Sequence, residues 1–236
     1  MKTYPKLFNL WHRDEKTHKL VIGQYAQPEF ASINTWSVTE KVNGVNIRIE
    51  YVHGKVAFGS RNNDGEIPNH LLFYLQSTFT EQFMDVVFPR DKRTEAYPHV
   101  TLFGEGYGPK LEVGGGNYRK DPGFILFDVY IKGMYEDREY YWWLERPAVD
   151  AIATKIGVES VPRLTFKTYH MEQAKWVVFQ GVAPKDAILE YVQSKPLSKC
   201  SITPQTMEGV VCRAEPLMLF RNGDPIMFKL RCKDFV

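Results

Sequence analysis

Cysteine is scarce in this chain. Cys200, Cys212 and Cys232 are the only three among 236 residues. So small and odd a number argues against a disulfide framework and for a reducing compartment. No CxxC pair occurs, which speaks against a structural zinc site. Long apolar runs are missing as well. No stretch approaches the ~18 apolar residues of a membrane-spanning helix, so no membrane partner is expected. The opening "MKTYPKLFNLW" lacks the apolar core of a signal peptide. A cytoplasmic location is the expectation. An excess of one charge is also absent. The formal net charge is +2, which neither requires nor excludes nucleic acid, because a local basic patch can hide in a near-neutral total. No internal repeat, low-complexity segment or linker stands out, so one domain spanning 1–236 is expected.

What is present suits a packed soluble protein. Hydrophobic residues make up 44% and charged residues 25%, ordinary values for a globular chain. Aromatic residues reach 14%, enough for a dense core and also for stacking on bases. Residues 36 to 60 read as strands, "WSVTEKV", "VNIRIEYV" and "KVAFGS", with His53-Gly54 as the turn of a hairpin. "SRNNDGEIPN" is a loop by its Asn, Asp, Gly and Pro content. Residues 69 to 88 carry Leu71, Leu72, Leu75, Phe79, Phe83 and Val86 at helical spacing. "HVTLFGEGYG" reads as a strand entering a loop, "PKLEVGGGNYRKDPG" as a long, partly basic loop, and "FILFDVYI" as a buried strand. "REYYWWLERPAVDAIATKIG" reads as helical, with Pro147 opening the helix proper. Further helices are expected near 171–180 and 184–193, and closing strands at "EGVVCRA" and "IMFKLRC". Strands lie towards both ends and helices in the middle. That order is not the βαβα alternation of a doubly wound sheet. It implies an α+β fold with mainly antiparallel sheets flanked by helices.

Six stretches put a charged or polar residue in or beside an apolar strand: "EKVNG", "GSRN", "LFGEGYG", "ILFDVY", "EGVV" and "FKLR". One such insertion is common, but six suggest a site assembled from sheet faces. Their order resembles that of the covalent nucleotidyltransferases, the polynucleotide ligases and mRNA capping enzymes. Within these the chain is most similar to RNA ligases of the RNA-ligase-2-like group. Each motif alone is weak. The ordered set runs from Glu40 to Arg231.

The resemblance implies a ligase adenylation fold and a role for each residue. Lys41 is the nucleophile that takes AMP from ATP. An amine attacks only when neutral, and the usual lysine value is ~10.4, so burial or nearby positive charge must favour the neutral form. Lys229 and Arg231, or a metal ion, are candidates for that charge. Arg61 matches an arginine on nucleotide or end phosphate. Glu105 matches the carboxylate that holds the ribose. Phe127 matches the aromatic that stacks on the purine. Glu208 matches the carboxylate that positions Mg²⁺ or Mn²⁺. Lys229 matches a lysine on the α-phosphate. Two places on, where the family often has a second lysine, stands Arg231, with Lys233 as its rival. Glu40, through its carboxylate or its main-chain oxygen, reads the exocyclic amine of adenine. Position 43 departs from the Asp usual in DNA ligases and capping enzymes. Asn43 offers a hydrogen bond without charge, and Asn46 matches a further asparagine of the RNA-ligase-2-like pattern, "KxxGxN". Gly44 is expected to let the backbone turn beside the nucleophile.

The implied activity is ATP-dependent joining of an RNA 5′-phosphate to a 3′-hydroxyl. It proceeds through a lysyl-AMP and an adenylylated RNA end, in an RNA-repair setting. Alternatives are a DNA ligase, a GTP-dependent capping-type enzyme or a non-catalytic RNA-end-binding module. Enzymes of this superfamily usually carry a second domain after the last motif. This chain stops five residues past Arg231, so no C-terminal OB-fold or accessory domain is expected, and an accessory protein is a candidate source of RNA binding. "YYWW" and the basic loop with Lys110, Arg119 and Lys120 are the remaining candidate RNA contacts.

Overall fold

A computed structural model describes residues 2–61, 65–92, 96–135, 138–170 and 175–235. In chain order its strands are β1 (Phe8–Asn9), β2 (Trp11–Arg13), β3 (Leu20–Tyr25), β4 (Trp36–Lys41), β5 (Val45–Val52), β6 (Lys55–Ser60), β7 (His99–Tyr107), β8 (Gly123–Tyr135), β9 (Arg138–Trp143), β10 (Glu159–Ser160), β11 (Thr165–His170), β12 (Lys175–Gln180), β13 (Val182–Ala183), β14 (Gly209–Ala214) and β15 (Met227–Arg231). The α-helices are α1 (Glu29–Ser32), α2 (Asn69–Thr78), α3 (Glu81–Val87), α4 (Arg146–Ile156) and α5 (Lys185–Gln193). The architecture is α+β, with mostly antiparallel sheets and few helices. The chain divides into two compact units, Met1–Tyr4 with Asn43–Ser160, and Pro5–Val42 with Val161–Val236. None of the described helices is long and apolar enough to cross a membrane.

The first unit is built on the sheet β10-β8-β7-β5-β6, with β9 paired to β8. Alternation in β5 sends Ile47, Ile49 and Tyr51 to a core shared with Leu71 and Leu75 of α2 and with Leu102, Phe124 and Leu126 of the sheet. Asn46, Arg48 and Glu50 therefore stand on the opposite face. The β5–β6 hairpin turns at His53 and Gly54, both with positive φ (50° and 76°), as a two-residue hairpin loop requires.

The second unit is built on the sheet β1-β15-β14-β4-β13. Trp36 and Val38 of β4, Val210 and Cys212 of β14, and Phe228 and Leu230 of β15 fill one core. The β11–β12 hairpin and α5 close over that core, with Phe166 stacked on Tyr191 at 4.3 Å between ring centres.

Three expectations about elements change. Residues 69 to 88 form two helices, because Thr80 caps the second by accepting from the Phe83 N–H at 3.3 Å. "REYYWW" is strand β9 and only Arg146–Ile156 is helical; an aromatic run fits a pleated edge better than a helix. The helix expected at 171–180 is strand over Lys175–Gln180, paired with β11. Residues 171–174 lie outside the described ones, as do 62–64 of the "SRNNDGEIPN" loop. The helix at 184–193 is present as α5.

Candidate active site

In the second unit β14 lies between β4 and β15, and the registers pair Gly209 with both Lys41 and Arg231. Directly paired residues share a face, as do residues two apart. Lys41, Arg231 and Lys229 therefore stand together on the face away from the core. Gly209 lets the strands close here: a Cβ at this position would lie 2.0 Å from the Leu230 carbonyl oxygen and 2.7 Å from the Arg231 Cα. Just before it, Glu208 accepts from the Lys41 Nζ at 2.6 Å, and both side chains are about four-fifths covered (22% and 21% exposed).

Arg231 donates to both carboxylate oxygens of Asp234, at 3.2 and 3.0 Å. Asp234 also accepts from Arg13 at 2.6 Å. This Arg13–Asp234–Arg231 cluster was not anticipated. Its signal was the "KLRCKD" run, where Asp234 follows Arg231 at a distance that one tight turn closes. Lys233 sits in that turn and is exposed. Between the two rivals, Arg231 is the one that shares a face with Lys229 and Lys41.

Glu40 requires a correction. It occupies the opposite face of β4 from Lys41 and is 1% exposed. Its carboxylate accepts from the Ser198 hydroxyl and from the Lys199 N–H at 2.7 Å. Burial pushes its pKa above the ordinary carboxylate value, and these hydrogen bonds partly offset the rise. The carboxylate is thus spent on anchoring residues 198–200.

The first unit holds the other residues. Asn46 pairs across strands with Glu105, and Glu105 with Ile125, so these three share the face away from the core. The Asn46 Oδ1 is buried with no hydrogen-bond partner, a costly state for a polar atom unless something binds it. The β7–β8 register shifts between Phe103, which faces Asp128, and Gly104, which faces Leu126. Phe127 is the extra residue, and such a bulge re-aims a side chain out of strict alternation. The Tyr4 ring meets Phe127 edge-on at 4.8 Å, and its hydroxyl donates to the Asp128 carboxylate at 2.5 Å. The "ILFDVY" stretch marks Asp128 as a charge within an apolar strand, whereas no sequence pattern points to Tyr4. Arg61 follows the last residue of β6 and is exposed.

The Asn43-Gly44 step is the passage from β4 in one unit to β5 in the other. Gly44 is required by closeness rather than by a tight turn. A Cβ there would lie 2.3 Å from the Gly106 carbonyl oxygen and 2.9 Å from the Glu105 Cγ. In the basic loop, Lys110 and Lys120 are exposed. Arg119 instead turns inward, its guanidinium 5.2 Å from the Tyr107 ring centre. Of "YYWW", Trp143 is buried and the other three are exposed.

The sequence model of the RNA ligase family matches residues 34–231. The chain belongs to the RNA ligase family. Comparison with curated proteins by sequence gives no match. Among solved structures, a mutant Naegleria gruberi RNA ligase with ATP and Mn is similar at a TM-score of 0.59 and 13% identity, over 97% of this chain and 56% of that one. A second mutant of that ligase, with AMP and Mn, gives 0.54 and 15% over 86% and 51%. The form with PPi gives 0.51 and 16% over 84% and 49%. At such identities the likeness establishes the fold. This RNA ligase family chain spans about half the length of the chains it matches.

Proposed function

We propose that this protein is an ATP-dependent RNA ligase that joins a 5′-phosphate to a 3′-hydroxyl through a covalent lysyl-AMP. The observation that carries the reading is the placement of Lys41, Lys229 and Arg231 on one sheet face, with the Glu208 carboxylate 2.6 Å from the Lys41 Nζ. In the first step the Lys41 Nζ leaves the Glu208 hydrogen bond and gives one proton to solvent, then attacks the α-phosphorus of ATP as the neutral amine and loses a second proton to solvent as the bond forms. An N–P bond forms, the bond to the bridging oxygen breaks, and pyrophosphate leaves. Lys229 and Arg231 stabilise the charge that builds on the α-phosphate. In the next steps AMP passes to an RNA 5′-phosphate, and a 3′-hydroxyl displaces it.

Glu208 is the residue for a divalent ion. Among the described residues no group of three or more His, Cys, Asp or Glu could hold a metal. The ion would then take one carboxylate from the protein and the rest of its ligands from phosphate and water, as Mg²⁺ and Mn²⁺ readily do. When bound, it withdraws charge from the phosphate oxygens. The relatives solved with ATP and Mn, and with AMP and Mn, support this choice of nucleotide and metal.

In the first unit, Asn46, Glu105 and Phe127 are assigned to ribose and base, and Arg61 to phosphate. The orphaned Asn46 Oδ1 supports a ligand on that sheet face. The Glu40 main-chain oxygen is the remaining candidate for the adenine amine. We read 1–236 as an adenylylation module of two compact units, aided by a partner for RNA binding and working in RNA repair. Its three free thiols suit the cytoplasm.

Incubation with α-labelled ATP and a divalent ion, followed by denaturation, tests the reading. Label on the wild type, absent from Lys41→Ala and not produced by GTP, is the expected result, followed by joining of 5′-phosphorylated RNA. No label on folded protein that was free of AMP beforehand would overturn it.

A further inference from the structure

Beyond the adenylylation residues, the sheet face that presents Lys41 continues onto a second surface. Pro162 to Leu164 run alongside β4: the Glu40 N–H donates to the Pro162 carbonyl at 3.1 Å, and the Leu164 N–H to the Val38 carbonyl at 3.0 Å. Arg163 forms an antiparallel bridge with Thr39, two residues before Lys41 on the same face. Alternation then carries that face out along β11. Leu164 and Phe166 point into the core, while Arg163, Thr165, Lys167 and Tyr169 are exposed. Register with β12 sets Tyr169 opposite Trp176 and Lys167 opposite Val178.

This outer face is unusual in chemistry. A sheet face turned to water is normally polar, yet Trp176 is 59% exposed, Val178 57% and Tyr169 41%. The Trp176 and Tyr169 rings pair edge to face at 5.5 Å, and the Lys167 Nζ lies 5.0 Å from the Trp176 ring centre. Lys175 is exposed at the tip. Residues 163–170 and 175–180 hold Arg163, Lys167 and Lys175 and no Asp or Glu. The inner face already packs through Phe166 and Phe179, so the outward rings are not needed to close the core. Aromatic faces amid positive charge are what an unpaired nucleic-acid strand engages, through base stacking and phosphate neutralisation.

We propose that the outer face of the β11–β12 hairpin is a stacking platform for the single-stranded RNA segment leading to the end processed at Lys41. The seven residues from Arg163 to Tyr169 span about 20 Å at a rise of ~3.3 Å per step, room for several nucleotides. The proposal rests on the ligase reading, and its test separates the two.

Binding of 5′-phosphorylated RNA is measured by fluorescence anisotropy, using a dinucleotide and a single strand of about ten nucleotides, the latter within a usual single-strand site size. Trp176→Ala and Tyr169→Ala should each weaken the longer RNA about tenfold, the effect typical of losing one base stack. The dinucleotide and ATP labelling of Lys41 should be unchanged, and Trp176→Phe should keep most of the affinity. Lys167→Ala should flatten the salt dependence by about 0.7 in log–log slope, one phosphate's worth. Unchanged affinity of folded Trp176→Ala and Lys167→Ala for the longer RNA would overturn the platform and point to a protein partner. Should Trp176→Ala lose Lys41 labelling through misfolding, Trp176→Phe and Lys167→Ala decide the matter. RNA binding is read directly, so wild type that binds RNA but takes no label from ATP would count against the ligase reading alone.

Discussion

Replacing Glu40 by Gln isolates one buried carboxyl next to Lys41. Glu40 is 1% exposed and its pKa is raised, chiefly by burial. A carboxyl that binds protons more tightly folded than unfolded stabilises the fold fully below the unfolded value. That stabilisation is lost as the pH rises through the folded value. The folded wild type should therefore lose stability from this group while it titrates, at no more than about 1.4 kcal/mol per pH unit, and then level off. Glu40→Gln keeps an oxygen to accept from Lys199 and carries no charge, so it lacks this slope. For a chain of this size ~1 kcal/mol corresponds to roughly 2–4 °C in Tm. The Tm of Glu40→Gln relative to wild type should climb with pH above the ordinary carboxylate range, by at most about 5 °C per pH unit, and then flatten. Thermal unfolding of both proteins followed by circular dichroism from pH 4 to 8 measures it (roughly the span over which a raised carboxyl titrates). Two parallel curves would refute the claim that burial dominates at Glu40. Label from ATP on Lys41 should survive in Glu40→Gln, because the carboxylate is on the other face of β4.

Gly44→Ala would place a Cβ 2.3 Å from a backbone oxygen. An overpacking loss of about 1–3 kcal/mol should appear as a Tm lower by several degrees, and an unchanged Tm would contradict the close approach. Asp234→Asn removes the charge that holds Arg13 and Arg231. Charge-assisted hydrogen bonds are worth about 1.5–3 kcal/mol, so both Tm and the rate of Lys41 labelling should fall. An unaltered labelling rate would show that Arg231 acts without Asp234. Lys41→Ala and Trp176→Ala have their outcomes above, loss of label and loss of longer-strand RNA affinity respectively.

Several features were legible in the residues alone. Alternation in 36–60 marks β4, β5 and β6, because a half-buried strand needs apolar residues at every second place. The ordered motifs singled out Lys41, Glu208, Lys229 and Arg231 as candidates, and the sheet of β4, β14 and β15 brings these residues together. Segments with strong aromatic content misled. "REYYWW" and residues 175–180 read as helix and are strands, since their pairing partners β8 and β11 supply the hydrogen bonds that no local pattern records.

The rest was decided by tertiary structure. Which face of β4 each side chain takes follows from packing. Val38 enters the core, so Lys41 stands outside it and Glu40 is buried, a division that the string "TEKVNG" cannot express. The Lys41–Glu208 contact, the Asp234 cluster, the Phe127 bulge with Tyr4 beside it and the continuity of Arg163 with Thr39 all join residues distant in the chain. Sequence by itself determined which residues can do chemistry and where strands are favoured, because those are local properties of side chain and alternation. Register and core packing determined which of them meet, because strand pairing is a long-range choice made by the whole sheet.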